Sequence, residues 1–416
     1  MSLDETALDS EASHTHDHAS GSGSGNSTSG TGSPSTASLD AMARYLTHGY
    51  FADTNQGRGT FDTDRDNTLT VNITALTGQA KQLARWSFEV WETVADLNFV
   101  ETGSANADIT FDDNRSGAYA ASSSINGNTV SAQVNVSSSW VNSHGGAIDG
   151  YAMATYIHEI GHALGLGHQG HYNGDADFDH DADFADDSRQ LSIQSYFETD
   201  ENPNTNGSNA NVISAQMVDI IAIQNLYGAP DASSATAGRT IWGANTNLDG
   251  YWSHLDAMLT GTRIPGIYDG DDVALTIYDR NGIDTLNLST STTDDTINMR
   301  WGTFSDVGGL TGNLAIARGT MIEFVTTGSG DDTVTGNNVT NRIITGDGDD
   351  IVHAERGWDK VWTGKGNDHA FGGHGNDLCL YTHLRAHETV LELVYRLLLE
   401  KKKKKNIIQI DEYKRP

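Results

Sequence analysis

The chain has a single cysteine, Cys379, so no disulfide can form within it. Basic residues are also scarce, with 25 Lys plus Arg against 56 Asp plus Glu and a net charge of −31. Such a body repels nucleic acid and anionic membranes but suits hard cations, which prefer carboxylate oxygens. No apolar run approaches the length of a membrane-spanning helix. The opening residues, MSLDETALDSEASHTHDH, lack both the basic and the apolar region of a Sec signal. The expectation is a soluble chain, exported if at all by a route without a cleaved N-terminal signal. Hydrophobic residues make up only 37%, and an exported protein without disulfides must find its stability elsewhere, bound metal being one candidate.

What is present falls into segments of different character. Residues 1–38 are Ser, Gly, Thr and Asp in low-complexity order, predicted to be disordered; His14, His16 and His18 lie there, a solvated polar tail rather than a metal site. LDAMARYL fits a short helix, and TLTVNIT alternates as a strand. Ala80, Leu83, Ala84, Phe88, Trp91, Val94 and Ala95 recur at helical spacing. ADITFDD and NTVSAQVNVS again alternate as strands. Further helices are expected over 151–165 and from Ser214, as N-cap, to Tyr227, with Gly228 as stop signal. Residues 39–229 therefore read as one mixed α and β domain.

Beyond Gly228 the chain turns to short β segments rich in Gly, Asn, Asp and Thr, and from Thr327 a nine-residue period sets in. The blocks TGSGDDTVT, GNNVTNRII, TGDGDDIVH, AERGWDKVW, TGKGNDHAF and GGHGNDLCL fill residues 327–380. Each resembles the G-G-x-G-x-D-x-U-x nonapeptide of calcium-binding parallel β-helices, where glycine permits the turn and carboxylates with carbonyls take Ca²⁺. Asp332, Asp350, Asp359, Asp368 and Asp377 are the expected calcium residues. Val334, Ile343 or Ile344, Val352, Val361, Ala370 and Cys379 are expected to point inward, making the cysteine a small core residue.

The end breaks this pattern. Residues 381–416 carry nine Lys or Arg against five Asp or Glu, whereas the rest of the chain carries 16 against 51. LRAHETVLELVYRLLLE could form an amphipathic helix, followed by KKKKK. An interaction helix, a membrane-surface helix and sequence foreign to the rest of the chain are the three readings, and the abrupt switch favours the last.

The chemistry is concentrated in HEIGHALGLGH. His158 and His162, four residues apart on one helix face, can reach one ion; Gly165 lets the helix end so that His168 can fold back as a third ligand. The full H-E-x-x-H-x-x-G-x-x-H string is the metzincin form and far more specific than any single histidine. Zn²⁺ held by three neutral nitrogens lowers the pKa of a bound water towards ~7 and polarises a carbonyl. Glu159 would accept the water's proton and deliver it to the leaving amine. His171 and His180 are read as loop residues, the latter in the acidic run DFDHDADFADD.

On HEIGHALGLGH, the following HYNG, DDSRQLSIQSYF, QNLYGA at 224–229, FSDVGGLTGN at 304–313 and the nonapeptides at 327–380, the chain resembles the serralysins, secreted bacterial metzincins joined to an RTX β-roll. The resemblance spans residues 39–380. It implies an α+β metzincin zinc-protease domain at 39–229, a β-rich connecting part at 230–326, an all-β parallel roll at 327–380, a candidate propeptide in 1–38 and an atypical basic tail at 381–416. It implies a secreted, monomeric endopeptidase acting on proteins or peptides, with one catalytic Zn²⁺ and several Ca²⁺, exported by type I machinery that reads an uncleaved C-terminal signal. The Lys-rich tail does not resemble that signal. An extended substrate would add beside an edge strand, for which TVSAQVNVS is the candidate. The family pattern S-x-M-S-Y falls on Ser192–Tyr196, which sets Gln194 where a methionine is expected and makes Tyr196 a candidate further zinc ligand and oxyanion partner. A rival reading is a non-catalytic RTX binding or surface protein with a decayed protease domain.

Overall fold

The computed structural model describes the backbone of Thr6–Ala7 and residues 37–380. The readings made for the rest of residues 1–36, His14, His16 and His18 included, and for the basic tail at 381–416 lie outside the described residues.

The N-terminal half is built on a sheet in the order Thr6–Ala7, Ala118–Ile125, Asn128–Val136, Ile109–Asp112, Thr68–Asn72, Asn98–Glu101. Two helices pack beneath it. Gly78–Val94 buries the stripe Ala80, Leu83, Ala84, Phe88, Trp91 and Val94, as its spacing requires. Tyr151–Ala163 is different in kind: every residue from Ala152 to Ala163 is buried, the small and apolar ones together with His158, Glu159 and His162. It packs between the long hairpin and the first helix, where Trp91 Nε1 donates to the Ile157 carbonyl at 3.1 Å.

Two expectations are corrected here. The candidate edge strand at 129–137 is an interior strand, paired antiparallel with Ala118–Ile125 and parallel with Ile109–Asp112. The outer position beside it belongs to Ala118–Ile125, on which Thr6–Ala7 pairs antiparallel. Alternation reports which face of a strand is buried and says nothing about its neighbours. The signal that could have located the partner is Asn126-Gly127, whose φ angles of 54° and 83° are those of a tight hairpin turn. The second correction concerns the helix Met217–Tyr227: its cap is Gln216, not Ser214. Gln216 and Asp219 form a capping box, while the Ser214 hydroxyl accepts the Thr276 amide instead.

The C-terminal half is a parallel β-roll. One sheet stacks Ile241–Gly243, Thr285–Asn287, Phe324–Thr326, Arg342–Ile344, Lys360–Trp362 and Leu378–Leu380; the other stacks Thr296–Asn298, Thr333–Thr335, Ile351–His353 and His369–Phe371. Successive repeats alternate between the sheets, so neighbours within a sheet are paired in register two nonapeptides apart. Val334, Ile343, Val352 and Val361 are fully buried, and Ile343 rather than Ile344 is the inward residue of its block. Ala370 and Cys379 face the same core but are only half-buried at its last coils.

The two halves share a small sheet in which Asn211–Val212 runs parallel to Val273–Ile277. Asp149, 1% exposed, ties them further: its carboxylate accepts the amides of Asp269, Gly270 and Asp271 at 2.8–3.1 Å.

Candidate metal centre

His158 and His162 lie one helical turn apart on Tyr151–Ala163, with their imidazoles on the same face. The helix stops because Gly165 adopts φ 101°, and no other residue would fit: a Cβ there would sit 2.5 Å from the Gly59 carbonyl oxygen. The chain then reverses and carries His168 back to the first two. Among the described residues this trio alone brings three or more His, Cys, Asp or Glu ligand atoms together, all within 4.8 Å of one another.

Ring orientation is set from behind. The three Nδ1 atoms lie 2.8–3.0 Å from backbone carbonyls, His158 at Ile193, His162 at Leu166 and His168 at Tyr172. Carbonyls only accept, so each Nδ1 carries the proton and each Nε2 presents a lone pair. Those Nε2 atoms converge, 2.9 Å from His162 to His158 and 3.0 Å from His162 to His168. Burial pushes the His158 pKa down to about 4 and that of His168 well below its ordinary value, so neither ring is cationic near neutrality. Three neutral nitrogens aimed at one point, with no proton between them, form a donor set for a borderline-soft cation such as Zn²⁺.

Glu159 follows His158 on the helix and is completely buried. Tyr196 is brought to the same place, its ring centroid 4.6 Å from that of His168 and 6.2 Å from that of His158. His171 and His180 do not join: both are exposed, and His180 pairs with Asp177 on the acidic loop.

The turn at 192–196 is the floor of the site. Ile193 O receives the His158 ring, and Gln194 O receives the Gln169 amide at 3.2 Å, next to His168. The Gln194 side chain, 0% exposed, donates from Nε2 to the His158 carbonyl at 3.0 Å, and its Oε1 is buried without a partner. The glutamine is thus accommodated by hydrogen bonding and by Gly161, where a Cβ would lie 2.3 Å from Gln194 Nε2.

Sequence reasoning missed the groups that hold this floor. Asp219, on Met217–Tyr227, accepts the Ser192 hydroxyl at 2.6 Å, the Ile193 amide at 2.7 Å and the Gln216 amide at 2.8 Å. Asp187 accepts the Tyr172 hydroxyl, whose backbone carbonyl in turn holds His168. Arg189 donates to the Ser195 carbonyl, to Glu198 and to the Tyr151 hydroxyl. The S/T/Q-x-x-D/E spacing of Gln216 and Asp219 hinted at a cap; nothing local indicated the second duty of Asp219.

In the roll, Asp332, Asp350 and Asp359 are buried, whereas Asp368 and Asp377 are half-buried. One carboxylate oxygen of each later Asp accepts the amide of the Asp one coil earlier, at 3.0 Å for Asp332–Asp350, 3.2 Å for Asp350–Asp368 and 3.1 Å for Asp359–Asp377. The other oxygens of Asp332, Asp350 and Asp359 are buried with no partner. Burial raises all three pKa values, Asp332 to about 6. Buried carboxylate oxygens left unsatisfied beside backbone turns are what a hard cation would complete. Asn341 replaces the aspartate in its block and donates its amide to the Glu323 carbonyl and to Asn337. A further carboxylate group, unmarked by any repeat, joins Asp279, Asp284 and Glu323: Glu323 accepts the Asp284 amide at 2.8 Å, and Asp279 shares a hydrogen bond with Asp284. Burial raises all three.

Residues 266–394 match the family profile described as "Peptidase M10 serralysin C terminal". The chain is 34% identical over 282 residues to "Serralysin" of Photorhabdus luminescens, covering 65% of this chain and 55% of that one. It is 34% identical over 296 residues to "Serralysin B" of Dickeya chrysanthemi, covering 64% and 56%, and 30% identical over 345 residues to "Metalloprotease AprA" of Pseudomonas entomophila, covering 73% and 65%. The chain thus spans little more than half the length of the first two relatives.

Proposed function

Since the chain is a relative of the serralysins, we propose that it is a zinc-dependent endopeptidase that hydrolyses peptide bonds in proteins outside the cell. The observation that carries this reading is the convergence of three Nε2 lone pairs from His158, His162 and His168, each imidazole held by a backbone carbonyl behind it. Zinc bound there would supply a Lewis acid that acidifies water and polarises the scissile carbonyl. Glu159 takes the proton of the attacking water and returns it to the leaving amine, which balances the hydrolysis without a covalent intermediate. Tyr196, packed on His168, is assigned to the oxyanion side and as a further zinc ligand. The substrate backbone is assigned by strand addition to the outer edge of Ala118–Ile125, the outer arm of the hairpin, beyond the two residues, Ala121 and Ser122, that pair there with Thr6–Ala7.

The division proposed is a metzincin-type domain at 39–229, a connecting part at 230–326 and the calcium roll at 327–380. Ca²⁺ is assigned to Asp332, Asp350, Asp359, Asp368 and Asp377, the buried unpartnered oxygens of the first three being the support. The protein acts as a monomer exported by type I machinery; among the described residues no helix is long and apolar enough to cross a membrane.

Casein cleavage that disappears with a zinc chelator, returns with Zn²⁺ and is lost in Glu159→Ala is the expected result. An inactive wild type, fully loaded with zinc and calcium, would sink the reading in favour of a non-catalytic RTX binding protein. The support for that rival is Gln194 and the atypical tail; the tail lies outside the described residues, and a glutamine that hydrogen-bonds to the His158 carbonyl is no mark of decay.

A further inference from the structure

Residues 291–295 lie ahead of the nonapeptides and lack their glycines, yet they repeat the nonapeptide turn. In the repeats, three ladders step along one row of turns. The Asp332 amide donates to Asp350 Oδ1 and the Asp350 amide to Asp368 Oδ1; the same step joins the Asp295 amide to Asp332 Oδ1 at 2.9 Å. The Asp349 amide donates to Asp331 Oδ1 and the Asn367 amide to Asp349 Oδ1; the Asp331 amide donates to Asp294 Oδ1 at the same 2.8 Å. Ile351 and His369 donate to the carbonyls of Asp332 and Asp350, and Thr333 donates to that of Asp295. The carbonyls of Ser291 and Thr293 crowd Gly328 and Gly330, leaving 2.0 and 2.2 Å to an added Cβ, as those of Gly328 and Gly330 crowd Gly346 and Gly348.

The sequence agrees once aligned this way. TSTTDDTIN at 290–298 matches TGSGDDTVT at 327–335 at both aspartates and both flanking threonines, and Ile297 pairs with Val334 in the core. The turn is therefore a coil of the roll with Ser and Thr in place of glycine, separated from the next by the excursion through Thr303–Ser305 and Leu314–Ile316.

Asp295 is 1% exposed; its Oδ1 accepts Gly308 N and Thr293 Oγ1, and its Oδ2 is buried without a partner. Asp332, also 1% exposed, has an Oδ2 in the same condition. We propose that residues 291–295 and 328–332 form a further Ca²⁺ site ahead of the nonapeptides, with Asp295 and Asp332 as its carboxylate ligands and backbone carbonyls of both turns completing it. This rests on the reading of the roll as a calcium binder.

Asp295→Asn tests it in the full chain, because the amide keeps the Oδ1 acceptor for Gly308 and Thr293 and puts a donor where the cation would sit. Bound Ca²⁺ per chain, measured after dialysis against buffered Ca²⁺, should fall by one ion in the variant. An unchanged count overturns the site while leaving calcium binding by the repeats standing; a wild type that binds no Ca²⁺ overturns both. A second measurement needs no variant. In wild-type hydrogen exchange, amides at 291–298 should gain protection on adding Ca²⁺ together with those at 327–335, and calcium-independent exchange at 291–298 overturns the proposal.

Discussion

Gln194 Nε2 donates to the main-chain carbonyl of His158 at 3.0 Å, directly over the Cα of Gly161. The bond ties the floor of the site to the helix that supplies two of its imidazoles. It also strands the amide oxygen in the core without a partner. Replacing the residue by methionine loses a hydrogen bond worth about 1 kcal/mol and relieves an unsatisfied polar atom that costs about 1–3 kcal/mol. Gln194→Met should therefore retain stoichiometric zinc and melt at an equal or slightly higher temperature. Loss of zinc in that variant would give the amide a role in the site itself.

Gly161 is the other half of the contact. A methyl group there would meet Gln194 Nε2 at 2.3 Å and Trp91 Cζ2 at 3.1 Å. Gly161→Ala should cost about 1–3 kcal/mol by overpacking, and the cost should shrink when combined with Gln194→Ala. Strictly additive denaturation midpoints in that double-mutant cycle would exclude the clash as the cause.

Asp219 anchors the same turn from below. Asp219→Ala leaves the Ile193 and Gln216 amides and the Ser192 hydroxyl without their acceptor. A loss of about 3 kcal/mol is expected. Because Ile193 O orients His158, zinc affinity should fall roughly ten- to hundredfold, the usual effect of removing a partner behind a ligand. Titration with a competing chelator reads this, and unchanged affinity in a destabilised variant would confine Asp219 to a structural role.

The roll should reverse its pH response with calcium. Burial holds the Asp332 carboxyl up at about 6, above its ordinary value of 3.8. A raised acid favours the folded state only while protonated, so without calcium the roll loses stability as pH rises from about 4 to about 6 and stays weakened above that. Ca²⁺ competes with the proton for the same carboxylate, so with calcium present the order inverts. Circular dichroism melts in EGTA and in Ca²⁺ at pH 5 and pH 7.5 should show opposite ranking; the same ranking in both would dissociate Asp332 from the cation.

The parts legible in the sequence are those in which one residue type has one job. Histidines at i, i+4 and i+10 around a positive-φ glycine can do little but converge, and the glycine-spaced nonapeptides announce their own coil length. The coil at 290–298 escaped notice because Ser and Thr stand where that spacing shows glycine, leaving only the Asp pair to mark it. Asp219 escaped because its partners Ser192 and Ile193 are more than two dozen residues away, joined by the fold alone. Which strand lay at the edge depended on hydrogen-bond neighbours, which alternation does not encode.

The roll's architecture also governs how it fails under load. Each coil touches only the coils before and after it, so its cohesion is close to a sum of nearest-neighbour terms. At one end it is welded into the sheet that joins Asn211–Val212 to Val273–Ile277, while among the described residues Leu378–Leu380 has a single neighbour in its sheet. Pulling on that last strand should peel the roll in a sawtooth of 18-residue steps that halts at the weld, while the helices of the first half stay wound.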